Sequence, residues 1–146
     1  MESNPRVFIS YARSSDEHMA WVKKLADALR ESSISVTLDQ DDLRFGQLID
    51  KFQRDGISKA DRVLVVCSDT YVAKCDTDRD SGAGREKELM ELVLNKEKET
   101  IKFIPLLRDN PLKNMPSCLK GRLWLDASVD ARFDDTIGQL ITELRM

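Results

Sequence analysis

Four clusters of side chains in this sequence could do chemistry together. They are Ser10-Tyr11-Ala12-Arg13, the stretch from Asp39 to Gly46 that includes Leu43 and Phe45, the pair Ser68 and Tyr71, and two glutamates, Glu86 and Glu88, that follow Gly82-Ala83-Gly84. Carboxylates, hydroxyls, an aromatic ring and a glycine that lets backbone approach closely are the components of a small-molecule pocket. Metal chemistry fits poorly. His18 is the one histidine, and Cys67, Cys75 and Cys118 follow neither a zinc spacing nor a disulfide framework. Phosphate-loop chemistry fits no better, because no Gly-Lys-Ser/Thr string occurs. Gly82-Ala83-Gly84 lacks the third glycine of a dinucleotide fingerprint and does not directly follow the first strand. Taken alone, Glu86 reads as an acid in the first turn of a helix, favoured by the positive end of the helix dipole. Asp39, Asp41 and Asp42 read equally well as a solvated loop or as a pocket wall.

These clusters need elements to carry them. Arg6–Tyr11 (RVFISY) has the β-branched and aromatic content of a buried strand. Ser14, Ser15, Asp16 and Glu17 cap a helix with Met19, Val22, Leu25, Ala26 and Leu29 on one face. Ile34–Leu38 is the second strand, followed by the acidic stretch Asp39–Asp42 and a turn at Arg44-Phe45-Gly46. A helix over Leu48–Ala60 leads to Arg62–Cys67, a nearly all-apolar run expected of a central strand. Ser68–Ser81 reads as an exposed polar loop with a helical turn around Tyr71, closed by Gly82-Ala83-Gly84 ahead of a helix at Arg85–Lys98. Ile101–Leu107 is a fourth strand in which Pro105 argues for an edge or a bulge. A loop over Asp109–Gly121, a short strand at Leu123–Leu125 and a helix at Phe133–Leu144 complete the chain.

Five alternations of strand and helix predict an α/β domain spanning residues 1–146. The expected fold is a flavodoxin-like, doubly wound five-stranded parallel sheet of order 2-1-3-4-5 with helices on both faces. Such sheets bind ligands beyond the carboxyl ends of their strands, near the point where strand order reverses. All four clusters fall on that edge. A phosphoreceiver shares the fold but would place acids after the first and third strands, where this chain has Ser10-Tyr11 and Cys67-Ser68.

Composition narrows the class further. A net charge of −3 with dispersed lysines and arginines argues against nucleic acid as a partner. No long apolar stretch suggests a signal peptide or a membrane span, and the cysteine usage points to a reducing, cytoplasmic setting. His18 is expected at the surface, and Cys67, Trp21 and Trp124 are expected in packing roles.

Beyond the fold class, particular strings resemble one family. Val7-Phe8-Ile9-Ser10-Tyr11 resembles the opening box of TIR (Toll/interleukin receptor) domains, and Leu38-Asp39 with Asp42-Leu43-Arg44-Phe45-Gly46 resembles their second strand and BB loop. Gly82-Ala83-Gly84-Arg85-Glu86 and Lys102-Phe103-Ile104-Pro105-Leu106-Leu107-Arg108 resemble boxes of the SEFIR and bacterial TIR branch. The chain departs from many TIR domains in lacking a Trp-Cys pair before the glutamate. Glu86 fits a Gly-x-Gly-x-Glu pattern and Glu88 a Glu-Leu ending; Glu86 is preferred because Leu89 and Met90 share its helix face.

The resemblance implies cleavage of the nicotinamide–ribose bond of NAD⁺ with Glu86 as the catalytic carboxylate. Ser10, Tyr11, Ala12, Arg13, Asp39, Leu43, Phe45, Gly46, Ser68 and Tyr71 would form the substrate pocket. It implies no metal or other cofactor, NAD⁺ being the substrate, and self-association through the BB loop with other TIR domains. A sensor domain or protein is a further implied partner, since the chain is compatible with a domain cut from a longer one. The competing implication is a non-catalytic TIR or SEFIR interaction module.

Overall fold

The computed structural model describes residues 5–146. Arg62–Cys67 (β3), the most apolar run, lies at the centre of a parallel sheet of order β2-β1-β3-β4-β5. Its neighbours are Arg6–Ser10 (β1), Ser35–Thr37 (β2), Phe103–Leu107 (β4) and Leu125–Asp126 (β5). Strand order and fold class are those expected from the alternation of elements. The register pairs Val7 with Val36 on one side and with Arg62 on the other, which sets Ser10, the last residue of β1, beside Val65, two residues before the end of β3.

Side chains alternate across the strands and divide the core in two. Val7, Ile9, Leu64, Val66 and Leu106 pack against Asp16–Glu31 (α1) and Phe133–Leu144 (α6). Phe8, Val63, Val65, Cys67 and Leu107 pack against Ile49–Lys59 (α3), Asp69–Thr77 (α4) and Gly82–Lys96 (α5). Pro105 is tolerated for a local reason. The Leu107 carbonyl accepts from Ala127 N–H at 2.8 Å on the β5 side. Pro105, two residues earlier, turns its missing N–H the same way, and β5 pairs only with Leu106 and Leu107. The residue is an edge residue in effect, although β4 lies inside the sheet.

Several elements differ from the sequence reading. Asp39–Asp42 forms a single helical turn (α2) instead of a loop. The expected exposed loop at Ser68–Ser81 contains the two-turn helix α4, capped by the Ser68 hydroxyl accepting from Tyr71 N–H at 3.2 Å. Only Tyr71 and Cys75 of α4 are buried, so its helical period barely shows against polar neighbours. Helix α5 starts at Gly82, three residues before the expected Arg85, with Ser81 as its cap.

Two side chains also differ. His18 is buried at 3% exposure, its Nδ1 lying 3.0 Å from Asp109 Oδ2 and its ring stacked on Trp21. It shares the inward face with Trp21 and Val22, three and four residues on, while polar Asp16 and Glu17 suggested surface. Trp124 is 43% exposed because β5 begins one residue after it, leaving its ring beside Ile101 and Leu123 in a surface groove. Trp21 and Cys67 are buried as expected.

Candidate functional site

Beyond the carboxyl end of β1 lies a cleft of about 880 Å³, within the range of roughly 300–1,000 Å³ typical of small-molecule sites. It adjoins the point where strand order reverses, between β1 and β3. Tyr11, Ala12 and Arg13 enter it from the end of β1, Asp39 and Gln40 from α2, and Leu43 through Gln47 from the following loop. Phe52 and Gln53 of α3, Lys74 of α4, and Gly82, Ala83, Arg85 and Glu86 of α5 close the other side.

Glu86 is the buried acid of this cleft, at 4% exposure. Its helix begins at Gly82, so Glu86 stands in the second turn, where the dipole gives it little help. Burial therefore dominates and pushes its carboxyl from an ordinary 4.5 up to about 8. The neighbouring Ser10 hydroxyl and the charge of Arg85 oppose that rise, and the negative charge of Asp39 adds to it. Glu88 faces solvent and pairs with Arg79 at 3.1 Å. Of the two glutamates, Glu86 is the one on the cleft. Met90, four residues on, is fully buried on the same face.

The opposite wall is built by Asp39. It accepts from the Tyr11 hydroxyl at 2.7 Å and from Arg13 Nε at 3.0 Å, with Arg13 Nη2 at 2.9 Å. Gln40 Nε2 donates to the same Tyr11 oxygen at 2.9 Å and to the Met19 carbonyl at 3.0 Å. The Tyr11 phenol is held above its usual range by burial first and by Asp39 second. Its proton therefore stays on, as a donor to Asp39. Asp41 and Asp42 take a different role: Asp41 pairs with Arg30 at 2.5 Å and Lys23 at 2.9 Å, and Asp42 accepts from Leu38 N–H at 2.7 Å. These two acids fasten α2 to α1 and to its own start, away from the cleft.

The loop after α2 is a tight turn. Gln47 N–H donates to the Arg44 carbonyl at 3.0 Å, Arg44 N–H donates to the Gln47 side chain at 2.9 Å, and Gly46 adopts a φ of +87° that a side chain would oppose. Phe45 is left fully exposed at the tip, followed by exposed Leu48 and Ile49.

Three residues expected to line the pocket lie outside its wall. Ser10 and Tyr71 are both fully buried beneath it, their hydroxyls 2.6 Å apart. Ser68 is buried as the cap of α4. Gln40, Gln53, Lys74 and Arg85 line the cleft without having been singled out from the sequence. Arg85 donates to the Asp80 carbonyl at 2.6 Å and meets Asp50 at 3.0 Å. The signal for Lys74 was its position three residues after Tyr71, visible once α4 is known to be a helix. Among the described residues no cluster of metal-ligating side chains occurs, and no helix is long and apolar enough to cross a membrane.

Comparison with known proteins agrees with this fold. A prokaryotic SEFIR domain of solved structure is 31% identical, with 97% of this chain and 99% of that one aligned at a TM-score of 0.74. The TIR domain of the Toll-related receptor TRR-2 from Hydra magnipapillata is 19% identical, covering 96% and 98% at a TM-score of 0.69. The TIR domains of the activated Roq1 resistosome that directly recognizes the pathogen effector XopQ are 18% identical, covering 97% and 99% at 0.68. At that identity the last two show the fold alone. Curated protein sequences give no significant match. The family profile described as the TIR domain matches residues 7–141, from the second residue of β1 into α6, and the chain belongs to the TIR domain family.

Proposed function

We propose that this domain cleaves the bond between nicotinamide and ribose in NAD⁺, with Glu86 as the catalytic carboxylate. The observation that carries this reading is a single buried acid facing a nucleotide-sized cleft at the switch point of the sheet. The nicotinamide ring of NAD⁺ is a cationic pyridinium. When the C1′–N1 bond breaks, its electron pair leaves with the ring, nicotinamide departs neutral, and no general acid has to protonate it. Positive charge remains on the ribosyl group, as in glycoside cleavage. Glu86 in its ionised form stabilises that charge in a site with little water to screen it. Attack by water at C1′ then gives ADP-ribose and a proton; attack by the adenine ring gives a cyclic product. Tyr11, Ala12, Arg13, Asp39 and Leu43 would hold the nucleotide, with Phe45 and Gly46 at the mouth of the cleft. No metal or further cofactor is required, and a cytoplasmic setting supplies the substrate. Nicotinamide release is the test: concentrated or tethered protein incubated with NAD⁺ is expected to yield free nicotinamide and ADP-ribose products on chromatography. Persistence of NAD⁺ under every clustering condition would overturn the enzymatic reading.

The exposed Phe45 favours a second component, self-association through the loop at 43–48, with a sensor domain as the natural means of bringing copies together. An apolar ring presented at a turn held by a positive-φ glycine suits contact with a partner better than it suits solvent. Phe45→Ala removes no buried contact, so its stability should change by no more than about 0.5 kcal/mol. Concentration-dependent association, measured by sedimentation velocity, is expected to weaken by tenfold or more in that variant. Loss of association together with nicotinamide release marks an enzyme activated by assembly. Loss of association in a protein that never consumes NAD⁺ marks a docking module alone.

A further inference from the structure

The cleft is more positive than the chain that forms it. The protein carries a net charge of −3, yet four cations, Arg13, Arg44, Lys74 and Arg85, line the cleft against two acids, Asp39 and Glu86. Two of the cations already have partners. Arg13 is paired with Asp39, and Arg85 with Asp50 and the Asp80 carbonyl. Lys74 and Arg44 differ: among the described residues neither side chain makes an ion pair or a hydrogen bond, and both are exposed. Arg44 uses only its backbone, in the turn with Gln47. These two are the cations open to an anion that enters the cleft. Their placement is set by their neighbours. Lys74 precedes Cys75, a buried residue whose Sγ donates to the Ala83 carbonyl at 3.5 Å, so this part of α4 is held against the first turn of α5. Ala83 stands three residues before Glu86 on the same helix face, and both line the cleft. Lys74 is therefore anchored beside the wall that carries Glu86, exposed where Glu86 is buried. Arg44 enters from the loop after α2, on the wall built by Asp39.

We infer that Lys74, with Arg44 from the facing wall, forms a diphosphate-binding subsite at the rim of the cleft, which selects a dinucleotide over the smaller nicotinamide riboside. The inference rests on the proposed cleavage of NAD⁺ for its purpose, although anion binding itself does not need it. In NAD⁺ the two phosphates lie between the riboses, one ribose removed from the bond that breaks. With the nicotinamide-bearing ribose against buried Glu86, the diphosphate falls toward the exposed rim, where the two unpartnered cations stand. Neither cation touches the reacting atoms. Their attraction for the diphosphate is the same before and during bond breaking, so they act on KM and leave kcat alone.

The test is calorimetric titration of tethered protein with ADP and with adenosine, in the parent, Lys74→Gln, Lys74→Arg and Arg44→Gln. Lys98→Gln, at an exposed lysine outside the cleft, is the control for general charge. All of these side chains are exposed, so the variants should fold as the parent does. The parent is expected to bind ADP about tenfold or more tighter than adenosine, by a margin that shrinks as salt rises. Lys74→Gln should weaken ADP about threefold to tenfold and leave adenosine within about twofold, and Arg44→Gln should act in the same direction. Lys74→Arg should keep most of the ADP affinity, and Lys98→Gln should keep all of it. In nicotinamide release, Lys74→Gln should raise KM for NAD⁺ by the same factor with kcat within about twofold. ADP that binds no tighter than adenosine, an ADP affinity indifferent to Lys74, or an equal loss in Lys98→Gln overturns the subsite. Lys74-dependent ADP binding in a protein that never releases nicotinamide upholds the subsite and overturns the cleavage reading instead.

Discussion

Glu86→Gln is expected to reduce nicotinamide release from NAD⁺ by about a hundredfold to a thousandfold or more, while leaving the fold intact. The amide has nearly the shape of the carboxylate, so the cleft keeps its volume and Met90 keeps its packing. What disappears is the negative charge. A single preorganised electrostatic partner is commonly worth about two to three orders of magnitude in rate when water is excluded. Steady-state assays on clustered protein measure this directly. Equal rates in the two proteins would remove Glu86 from the chemistry, and transfer of the loss to Glu88→Gln would reassign the acid to a residue that faces solvent and pairs with Arg79.

The same variant should carry a pH signature. Burial places the Glu86 midpoint at about 8, so in the free protein at neutral pH the acid is mostly protonated. If the carboxylate is the working form, kcat/KM rises with pH toward a midpoint near 8. The midpoint in kcat lies lower, because a bound pyridinium and the developing ribosyl cation favour ionisation of a neighbouring acid. Stability runs in the opposite direction. Between 4.5 and about 8 the folded chain keeps a proton that the unfolded chain has released, so the unfolded state binds fewer protons and stability falls as pH rises. The stabilising contribution is whole below 4.5 and lost as pH passes through 8. Glu86→Gln abolishes this slope. Its melting temperature should match the parent near pH 4 and exceed it by a growing margin up to pH 8, as thermal melts across that range would measure.

How much of this was legible beforehand follows from where the physical signals lie. Apolar runs such as Arg62–Cys67 and the spaced face Val22, Leu25, Ala26 and Leu29 report burial directly, so strand order and most helices could be read from them. Helix α4 was legible only as a turn around Tyr71, because only two of its residues are buried and most of the others are polar. That omission hid the burial of Tyr71 and the place of Lys74 on the cleft. Glu86 was reachable through the glycine pattern before it, yet its environment was not. Placing it in the first turn predicted help from the helix dipole, whereas the true start at Gly82 leaves burial dominant. His18 failed for a related reason: local polarity suggested surface, while its acceptor Asp109 lies 91 positions along the chain. Long-range polar partners leave no mark on local pattern.

Gly84→Ala tests the mechanical side of the site. In the interior of an ordinary helix, replacing glycine by alanine stabilises by up to about 1 kcal/mol. Here a methyl group at residue 84 would overlap the backbone carbonyl oxygen of Asp78 and stand 2.9 Å from the Cα of Arg79. Those atoms are backbone and have no rotamer to adopt. The α4–α5 connection would have to move, and with it the Ser81 cap, whose hydroxyl donates to the Asp78 carbonyl at 2.7 Å and accepts from Gly84 N–H at 3.0 Å. Clash and lost cap together should cost about 2–4 kcal/mol. For a chain of this size that lowers the melting temperature by roughly 5–15 °C. Gly138→Ala is the matched control, since an added methyl on the exposed face of α6 meets nothing within 4 Å and should stabilise by about 0.5–1 kcal/mol. Calorimetry on the pair should therefore give shifts of opposite sign. A neutral or stabilising Gly84→Ala would mean that α5 does not approach the Asp78 backbone closely, and the seat of Glu86, two residues further along the same helix, would have to be redrawn.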